Sequence, residues 1–203
     1  EFVDTDLRLL PKPDKNIDLG LQWLNTAFKP DSSSMYYMYG IERVGLSSGL
    51  KFFGTTDWYK QGAAGVISHQ AATGSWNDLV DTSYALLFLA RGRNPVVFNK
   101  LQYKGRWNAR PHDSAYETRW MSKRLEKPIN WQIVNLQVSP QEWMDAPILL
   151  ITGSVDPKFN KDEIAKLRTY VNAGGMIFST AHGNDQKFTN AMRKYDGESV
   201  GHK

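Results

Sequence analysis

The sequence predicts an α/β domain with a mainly parallel sheet, of the Rossmann or flavodoxin type, preceded by an all-α segment of helical hairpins. Apolar residues recur at helical spacing in the first 93 residues, and short β-branched runs alternate with helical patterns after Asn94. Residues 147–151 form a continuous apolar run, which is typical of a strand buried on both faces of a parallel sheet. The boundary between the two parts is predicted near residues 92–94.

The first part is predicted to hold four helices. Residues 1–16 are charged and contain two prolines, which suits an extended lead-in, and residues 17–93 form the helical hairpins. The three serines at 32–34 and Asp57 offer side-chain oxygens that can cap helices, whereas Gly45, Gly49 and Gly54 indicate a loop. The helices are predicted at residues 17–28, 35–46, 58–69 and about 81–91.

The second part, residues 94–203, alternates strands and helices, which favours a parallel sheet. Asn160 can cap a helix that Gly174 and Gly175 follow. The chain starts without an initiator Met or a signal-peptide pattern, so we interpret the sequence as a fragment or a processed product with a truncated α/β domain. Strands are predicted at 96–98, 131–138, 147–151 and 176–179, and helices at 114–125, 161–172 and from about 185.

Composition excludes several kinds of chemistry. The chain has no cysteine, which rules out disulfides, thiolate metal ligands and cysteine nucleophiles. No apolar run reaches 18 residues, so no membrane-spanning helix is predicted. The four histidines, at positions 69, 112, 182 and 202, lack ligand spacing, and we expect neither a metal nor a cofactor.

Positive charge is concentrated in the second part. Residues 1–93 carry nine basic and ten acidic side chains, and residues 94–203 carry sixteen and eleven. Residues 100–127 alone have eight basic and three acidic side chains, which fits either an anionic-polymer surface or a solvated helix face. No nucleic-acid motif accompanies them, so a nucleic acid is not the expected partner. A protein partner, a small anionic ligand and homo-oligomerisation stay open.

One element, Gln70, Gly74 and Trp76, lies between two helical patterns and resembles the repeat of squalene cyclases and related helical toroids. A glutamine can donate to and accept from the unpaired groups at helix ends. The resemblance implies that Gln70 ties helix ends together while Trp76 packs across the turn. We find one copy, so four helices would form only part of a ring.

As a whole, residues 35–180 resemble an uncharacterised bacterial family, common in planctomycetes, in which prenyltransferase-like or squalene-cyclase-like repeats precede a domain of unknown function, family 4159. The resemblance implies a periplasmic or cell-envelope setting and assigns no activity. The matching stretches are residues 36–45, 57–59, 70–76, 81–89, 95–100, 107–111, 130–132 and 146–149.

The second part also resembles class I glutamine amidotransferase-like proteins through residues 170–175, where a helix leads through two glycines to a strand. Catalytic members of that group place a Cys nucleophile on a strand-to-helix turn. The corresponding loop here, residues 179–184, has no Cys, which argues against glutaminase chemistry.

Isoprenoid chemistry is not expected either. The segment from Asp4 to Leu7 resembles the acid cluster of terpene cyclases but lacks its last Asp, and prenyl transfer would need an Asp, Cys and His zinc set.

Seven residues form the candidate ligand site. Ligands of open parallel sheets bind beyond the carboxyl ends of the strands. Hydroxyls, Arg110 and helix N-termini there could hold a small anion or a partner's carboxylate. The alternative interpretation makes Asn108, Ser154 and Thr180 caps or turn formers and Arg110 an ion-pair residue. The seven residues are Asn108, Arg110, His112, Thr152, Ser154, Thr180 and His182.

Two further ideas concern hydroxyls and tryptophans. Ser179 or Thr180 with His182 could form a nucleophile and base, although residues so close in sequence seldom meet in the right geometry. Seven tryptophans could form a carbohydrate platform, but most lie in apolar patterns typical of core packing. Trp107 and Trp143, in apparent loops, are the ones we expect to be exposed.

Two hypotheses follow from the sequence. The first is a non-enzymatic binding or assembly module of a bacterial cell-envelope protein. The second is a hydrolase or group-transfer enzyme with a site at the carboxyl edge of the sheet, around Arg110, Thr152 and His182. The second requires a deep pocket there, which the structure can test.

Overall fold

The described residues of the helical part form four helices, with a short β-hairpin between the second and the third; the first helix packs on the β-hairpin and the second packs on the fourth. The computed structural model describes residues 14–91 and 94–199. The predicted caps are confirmed, since Ser34 accepts a hydrogen bond from Tyr37 N and Asp57 accepts one from Lys60 N. The elements are α1 (Lys15–Ala27), α2 (Met35–Ser48), β1 (Phe52–Phe53), β2 (Thr56–Asp57), α3 (Trp58–Ser68) and α4 (Leu79–Arg91).

The remaining residues form an α/β part around a four-stranded parallel sheet. Its helix α6 begins after Asn160, which forms a reciprocal capping box with Glu163. The elements are β3 (Val96–Gln102), α5 (Asp113–Leu125), β4 (Asn130–Asn135), a 3-10 helix (Pro140–Trp143), β5 (Ile148–Gly153), α6 (Lys161–Asn172), β6 (Met176–Ala181), a 3-10 turn (His182–Asn184) and α7 (Gln186–Ser199).

The strand order confirms the predicted fold class. The order is β4-β3-β5-β6, and all three pairings are parallel. The first strand along the chain therefore lies between the second and the third, as in flavodoxin-like sheets. Strand β5 is buried over residues 149–153, as the apolar run predicts. The direction of strand order reverses between β3 and β5, which places a switch point at their carboxyl ends.

The turn between α3 and α4 is held by the element that suggested a helical ring. Gln70 Nε2 donates to Gly74 O at 2.8 Å, and Gly74 has a φ of 85°, a conformation that favours glycine. Trp76 is buried in the helical core and its indole N–H donates to Val66 O at 2.7 Å, near the end of α3. The backbone N–H of Trp76 donates to Thr82 Oγ1 in α4. The two bonds of Trp76 fasten the helices across the turn, whereas the Gln70 bond lies within the turn and ties no helix end, which differs from the role that the resemblance implies.

Residues 49–51 join the two parts by extending the sheet. Leu50 forms a parallel bridge with Ile133 of β4. Ile133 N donates to Gly49 O at 2.6 Å, and Lys51 N donates to Ile133 O at 3.0 Å. The helical part therefore occupies the edge of β4, while β6 lies at the opposite edge of the sheet.

An ion-pair network reinforces the same joint. The Lys51 ammonium lies 2.7 Å from Asp145 Oδ2 and 3.7 Å from Asp57 Oδ2, and it donates to Glu142 O. Gln132 Nε2 also donates to Asp145 Oδ2 at 2.7 Å. Burial is the main reason that the pKa of Asp57 is raised.

Several expectations need correction or lie outside the described residues. Gly45 lies inside α2, because the helix packs closely on Trp58 there and has no space for a Cβ. The strand predicted at 131–138 ends at Asn135, and Trp143 is fully buried instead of exposed, because the 3-10 helix packs it against Tyr170. The lead-in up to residue 13, including Asp4 to Leu7, lies outside the described residues, as do His202 and residues 92–93. Helix α1 already begins at Lys15.

Among the described helices, none combines the length and the apolar character needed to cross a membrane.

Candidate functional site

A buried lysine organises the carboxyl edge of the sheet. Lys100 is fully buried in β3, and its ammonium donates to Asn108 Oδ1 at 2.8 Å, Arg110 O at 3.1 Å and Asp113 Oδ1 at 2.6 Å. Burial lowers the pKa of Lys100, and the bond to Asp113 partly offsets this. All three N–H groups have partners, so Lys100 anchors the loop that follows its own strand.

The same loop closes the end of β5. Thr152 Oγ1 donates to Trp107 O at 2.7 Å, and the Tyr103 hydroxyl donates to Thr152 O at 2.8 Å. Gly153 lies against Tyr103 and Phe188 with no space for a Cβ. The Thr152 hydroxyl proton is therefore donated to the protein's own backbone, and the sheet edge at this point is filled.

His182 lies beside this loop in an unusual environment. Both of its ring nitrogens are buried without a hydrogen-bond partner among the described residues. Burial lowers the pKa of His182, and the nearby positive charges of Arg110, Lys100 and Arg106 lower it further, while Asp113 opposes them. The imidazole is consequently held in its neutral form near pH 7.

Ser154 is the second buried polar group at this edge. Its hydroxyl oxygen also lacks a partner within the described part of the chain. Gly153 of β5 is paired with Ala181 of β6, so Ser154 and His182 leave neighbouring strands directly after a paired position. Because of this register, the backbones of Ser154 and His182 start next to each other at the ends of the two strands.

The structure brings some of the predicted site residues together and separates others. Asn108, Thr152, Ser154 and His182 come to the same edge, but the hydroxyl and amide groups of Thr152 and Asn108 hold the loop. The role of all seven residues in ligand binding stays a prediction.

The other three predicted site residues have exposed side chains, although Thr180 is the strand partner of Thr152 and the Arg110 carbonyl binds Lys100. The Arg110 side chain is exposed, and its positive charge lowers the pKa of His182. Thr180 is exposed on β6. His112 is exposed before α5, where its ring packs edge-on against Tyr116.

The structure also bears on the alternative roles of Asn108 as a cap or turn former and of Arg110 as an ion-pair residue. Asn108 neither caps a helix nor forms the turn through its side chain, because its amide oxygen binds Lys100. The Arg110 guanidinium forms no ion pair with the residues that the structure describes. Trp107 is half-buried, so the expectation of exposure is met only in part.

A cleft of about 600 Å³ opens on the other side of the loop, between the helical part and the carboxyl ends of β3 and β4. One wall comes from α1 and from the segment between α2 and β1, and the other comes from the sheet and the loop that contains Trp107 and Asn108. Its position matches the rule that ligands of open parallel sheets bind beyond the strand ends. Of the eighteen lining residues, six are amides, seven are apolar or aromatic, and three are charged.

Sequence reasoning missed Lys100, Asp113 and the whole α1 wall of the cleft. The signal for Lys100 is a charged residue directly after an apolar strand pattern, and the basic run at residues 100–127 hides it. Gln22 and Asn25 carry no sequence signal, since their role depends on how α1 packs against the distant sheet. No group of three or more His, Asp or Glu side chains in residues 14–91 and 94–199 is arranged to hold a metal ion.

Comparison with known proteins identifies the α/β part alone. Residues 97–197 match the family model described as a domain of unknown function (DUF4159). Neither the curated proteins nor the solved structures contain a match to this chain. The match covers the sheet, from the second residue of β3 to within α7, and assigns no activity.

Proposed function

We propose that the chain is a non-enzymatic binding or assembly module of a bacterial cell-envelope protein, and that its ligand occupies the cleft between the helical and α/β parts. The observation that carries this proposal is the contrast between two sides of one loop. On one side, the edge around Thr152 is filled by Trp107 and its neighbours. On the other side, the loop lines an open cleft of about 600 Å³, within the range of about 300–1,000 Å³ that small-molecule sites have.

The polar groups at the filled edge support a structural role. The Lys100 ammonium uses its three N–H groups on Asn108, Arg110 and Asp113, so it is not poised to act as a base or nucleophile. The chain also lacks a cysteine that could act as the amidotransferase nucleophile. These features favour recognition over turnover.

The envelope setting and the assembly role have separate support. The resemblance to planctomycete-type proteins with squalene-cyclase-like repeats supports a periplasmic or envelope location and a derivation of the helical part from an α/α toroid. Leu86 and Leu87 of α4 are more than half exposed, as is Trp23 of α1, which fits helices that pack against neighbouring hairpins. On this proposal, a protein partner or another part of the same protein covers these faces.

A single-cysteine probe tests the cleft directly, because the chain has no native cysteine. A fluorophore on Gln137→Cys reports from the cleft, and the same fluorophore on Gln61→Cys reports from an exposed position on α3 outside it. Both proteins are titrated with soluble oligosaccharides, short peptides, nucleotides and small carboxylates. We expect at least one class to give a saturable change at position 137 and none at position 61. Silence at position 137 with every class would overturn the proposal.

A second candidate function, a hydrolase or group-transfer enzyme, requires a deep pocket at the carboxyl edge, and around Thr152 that edge is filled. One observation favours this candidate: His182 and Ser154, at the ends of paired strands, have buried side-chain polar atoms without a partner among the described residues. A neutral imidazole can accept the proton of a hydroxyl nucleophile, so a hydrolase or group-transfer enzyme would use these two groups. The wild type, His182→Ala and the control His112→Ala are assayed on esters, glutamine and glycosides. Turnover that survives in the control and disappears in His182→Ala would replace the non-enzymatic proposal, and no turnover in the wild type removes this candidate.

A further inference from the structure

We infer that the ligand of the cleft is a neutral carbohydrate, an inference that rests on the proposed binding function and specifies its ligand class. Its basis is the composition of the lining, the hydrogen-bonding state of the lining side chains and their charge balance.

Amide side chains dominate the polar lining. Six of the eighteen lining residues are Asn or Gln, and they come from both walls. A primary amide presents a donor and an acceptor side by side, and a sugar hydroxyl is likewise both a donor and an acceptor. Of two neighbouring hydroxyls on a sugar ring, one can therefore donate to the amide oxygen while the other accepts from the amide NH₂ group. The six residues are Gln22, Asn25, Gln102, Asn108, Asn135 and Gln137.

Several of these amides have groups left for a ligand. Gln22, Gln102 and Gln137 make no side-chain hydrogen bond to the residues that the structure describes. The amide oxygen of Asn108 accepts a hydrogen bond from Lys100, and that of Asn25 accepts one from Gly54 N. The NH₂ group of each amide is therefore left as a donor. The cleft thus offers donors fixed by the fold and glutamines that can both donate and accept.

The charge of the lining does not favour an ion. Its charged residues are Asp18, Glu163 and Lys104, two acids and one base. One carboxylate oxygen of Glu163 already accepts from Asn160 N in the capping box of α6. A strongly anionic or cationic ligand would lack compensating charge, whereas a neutral polyol needs none.

Trp107 supplies an aromatic surface. Trp107 is a half-buried residue of the cleft lining whose side chain also packs against the core of the α/β part, and its backbone carbonyl accepts a hydrogen bond from Thr152. The Lys100 ammonium lies 5.8 Å from the centroid of the indole ring, which further fixes the position of the ring. The apolar C–H face of a sugar ring packs well on such a surface, while its hydroxyls reach the surrounding amides.

A peptide fits this site less well. Extended peptides usually bind by adding a strand to an open sheet edge. The edge of β4 beside the cleft is already paired with residues 49–51, through hydrogen bonds between Ile133 and both Gly49 and Lys51. The cleft lies at strand ends and offers side-chain amides in place of an unpaired backbone.

The test is calorimetric titration of the intact protein with neutral oligosaccharides of glucose, mannose and N-acetylglucosamine. Uronate oligosaccharides and neutral peptides of similar length serve as comparison ligands. Each titration is repeated with Trp107→Ala and Gln22→Ala. Matched controls are Trp120→Ala, an exposed tryptophan on α5, and Gln61→Ala, an exposed helical glutamine, since neither lines the cleft.

We expect at least one neutral sugar series to bind, Trp107→Ala to raise Kd about tenfold or more, and both controls to match the wild type. Binding of peptides or uronates alone, with loss in Trp107→Ala, would overturn the carbohydrate inference and leave the proposed binding function standing. Sugar binding that is equally strong in both cleft variants would also overturn it, because the sugar would then bind elsewhere. If no ligand class binds here or shifts the probe at position 137, both the inference and the proposed function fail.

Discussion

Lys51 in the helical part and Asp145 in the α/β part form an ion pair with an Nζ–Oδ2 distance of 2.7 Å. The lysine side chain is 7% exposed and also donates to Glu142 O, so its charge depends on partners from the opposite part of the chain. Asp145 in turn accepts hydrogen bonds from Gln132 and Asn99. This small network adds to the backbone hydrogen bonds of residues 49–51 that join the two parts of the chain.

Replacing Lys51 by Met should weaken the joint. The substitution leaves Asp145 and Asp57 without their cation. Lys51 is buried but Asp145 is 40% exposed, so water stabilises the carboxylate that is left, and we expect a loss of about 1–2 kcal/mol of unfolding free energy. Lys60→Met is the control, because Lys60 is 73% exposed and lies 3.9 Å from Glu142, a pair that contributes below about 1 kcal/mol. Urea denaturation of both variants measures the difference, and equal losses would contradict the role given to Lys51.

Replacing Lys100 by Met should destabilise the loop over the sheet edge. The variant leaves Asp113, Asn108 and the Arg110 carbonyl without their shared donor, and we expect a loss of about 3–5 kcal/mol. The exposed neighbour Lys104, changed to Met, should alter the unfolding free energy by no more than about 0.5 kcal/mol. Thermal and urea unfolding check both values. A Lys100→Met protein as stable as the wild type would show that the loop does not depend on this anchor.

Two glycines of α2 should respond in opposite directions to Ala. A Cβ at Gly45 would overlap the indole ring of Trp58, whereas a Cβ at Gly40 meets no atom within 4 Å. Gly45→Ala should cost about 1–3 kcal/mol through overpacking. Gly40→Ala should gain about 0.5–1 kcal/mol, because Ala loses less backbone entropy in a helix. Unfolding free energies from denaturant titrations decide the sign at each site.

Stability should fall at alkaline pH because of two buried tyrosines. Burial raises the pKa of Tyr103 and of Tyr170 to about 12. The unfolded phenols ionise near pH 10, so their contribution is fully present below pH 10 and is lost as the pH rises to about 12.

The variant that carries both Tyr103→Phe and Tyr170→Phe isolates this effect. The lowered pKa of Lys100 acts in the opposite direction, and the double variant retains it. Each Tyr→Phe change removes a hydrogen bond to a buried carbonyl, Thr152 O or Ala146 O, at a cost of about 1 kcal/mol at neutral pH. Urea titrations between neutral and alkaline pH should show a flatter decline in the variant. A decline as steep as that of the wild type would assign the alkaline loss to other groups.

His182 should produce a loss of stability at mildly acidic pH. Burial and the charge of Arg110 lower its pKa in the folded state. As the pH falls, the imidazole of the unfolded state therefore binds a proton near pH 6.5, while that of the folded state is still neutral. The stability is present above pH 6.5 and is lost as the pH falls towards the folded pKa. In His182→Gln this part of the pH dependence should disappear, and NMR titration of the imidazole in the wild type should place its pKa below 6.5.

The sequence predicts the bounds of a helix or strand well where caps and glycines close to its ends mark them. Helix α6 matches its predicted bounds because Asn160 and the two glycines after Ala173 mark both ends. Strand β3 extends to Gln102, beyond the predicted residue 98, because its polar residues Asn99 and Lys100 are buried with partners that no local pattern reveals.

The candidate site was harder to predict than the fold. The sequence pointed to the carboxyl edge of the sheet, near which the cleft also opens, since strand ends can be located from apolar runs. The cleft, however, joins residues near position 22 to residues near positions 102–137, and that proximity arises from tertiary packing. The β1–β2 hairpin was missed for a related reason, since strands of two residues have no detectable alternation.

The hydrogen bonds between residues 49–51 and β4 limit how this protein can be divided or recombined. An excised α/β domain that starts at Asn94 would leave the backbone N–H and C=O of Ile133 on the edge of β4 without their partners, and unprotected sheet edges promote aggregation. Any chimera that transplants the sheet onto another scaffold must bring this three-residue segment or supply a substitute for it. The helical part therefore acts as a fixed cover for the sheet, and the two parts are not interchangeable modules.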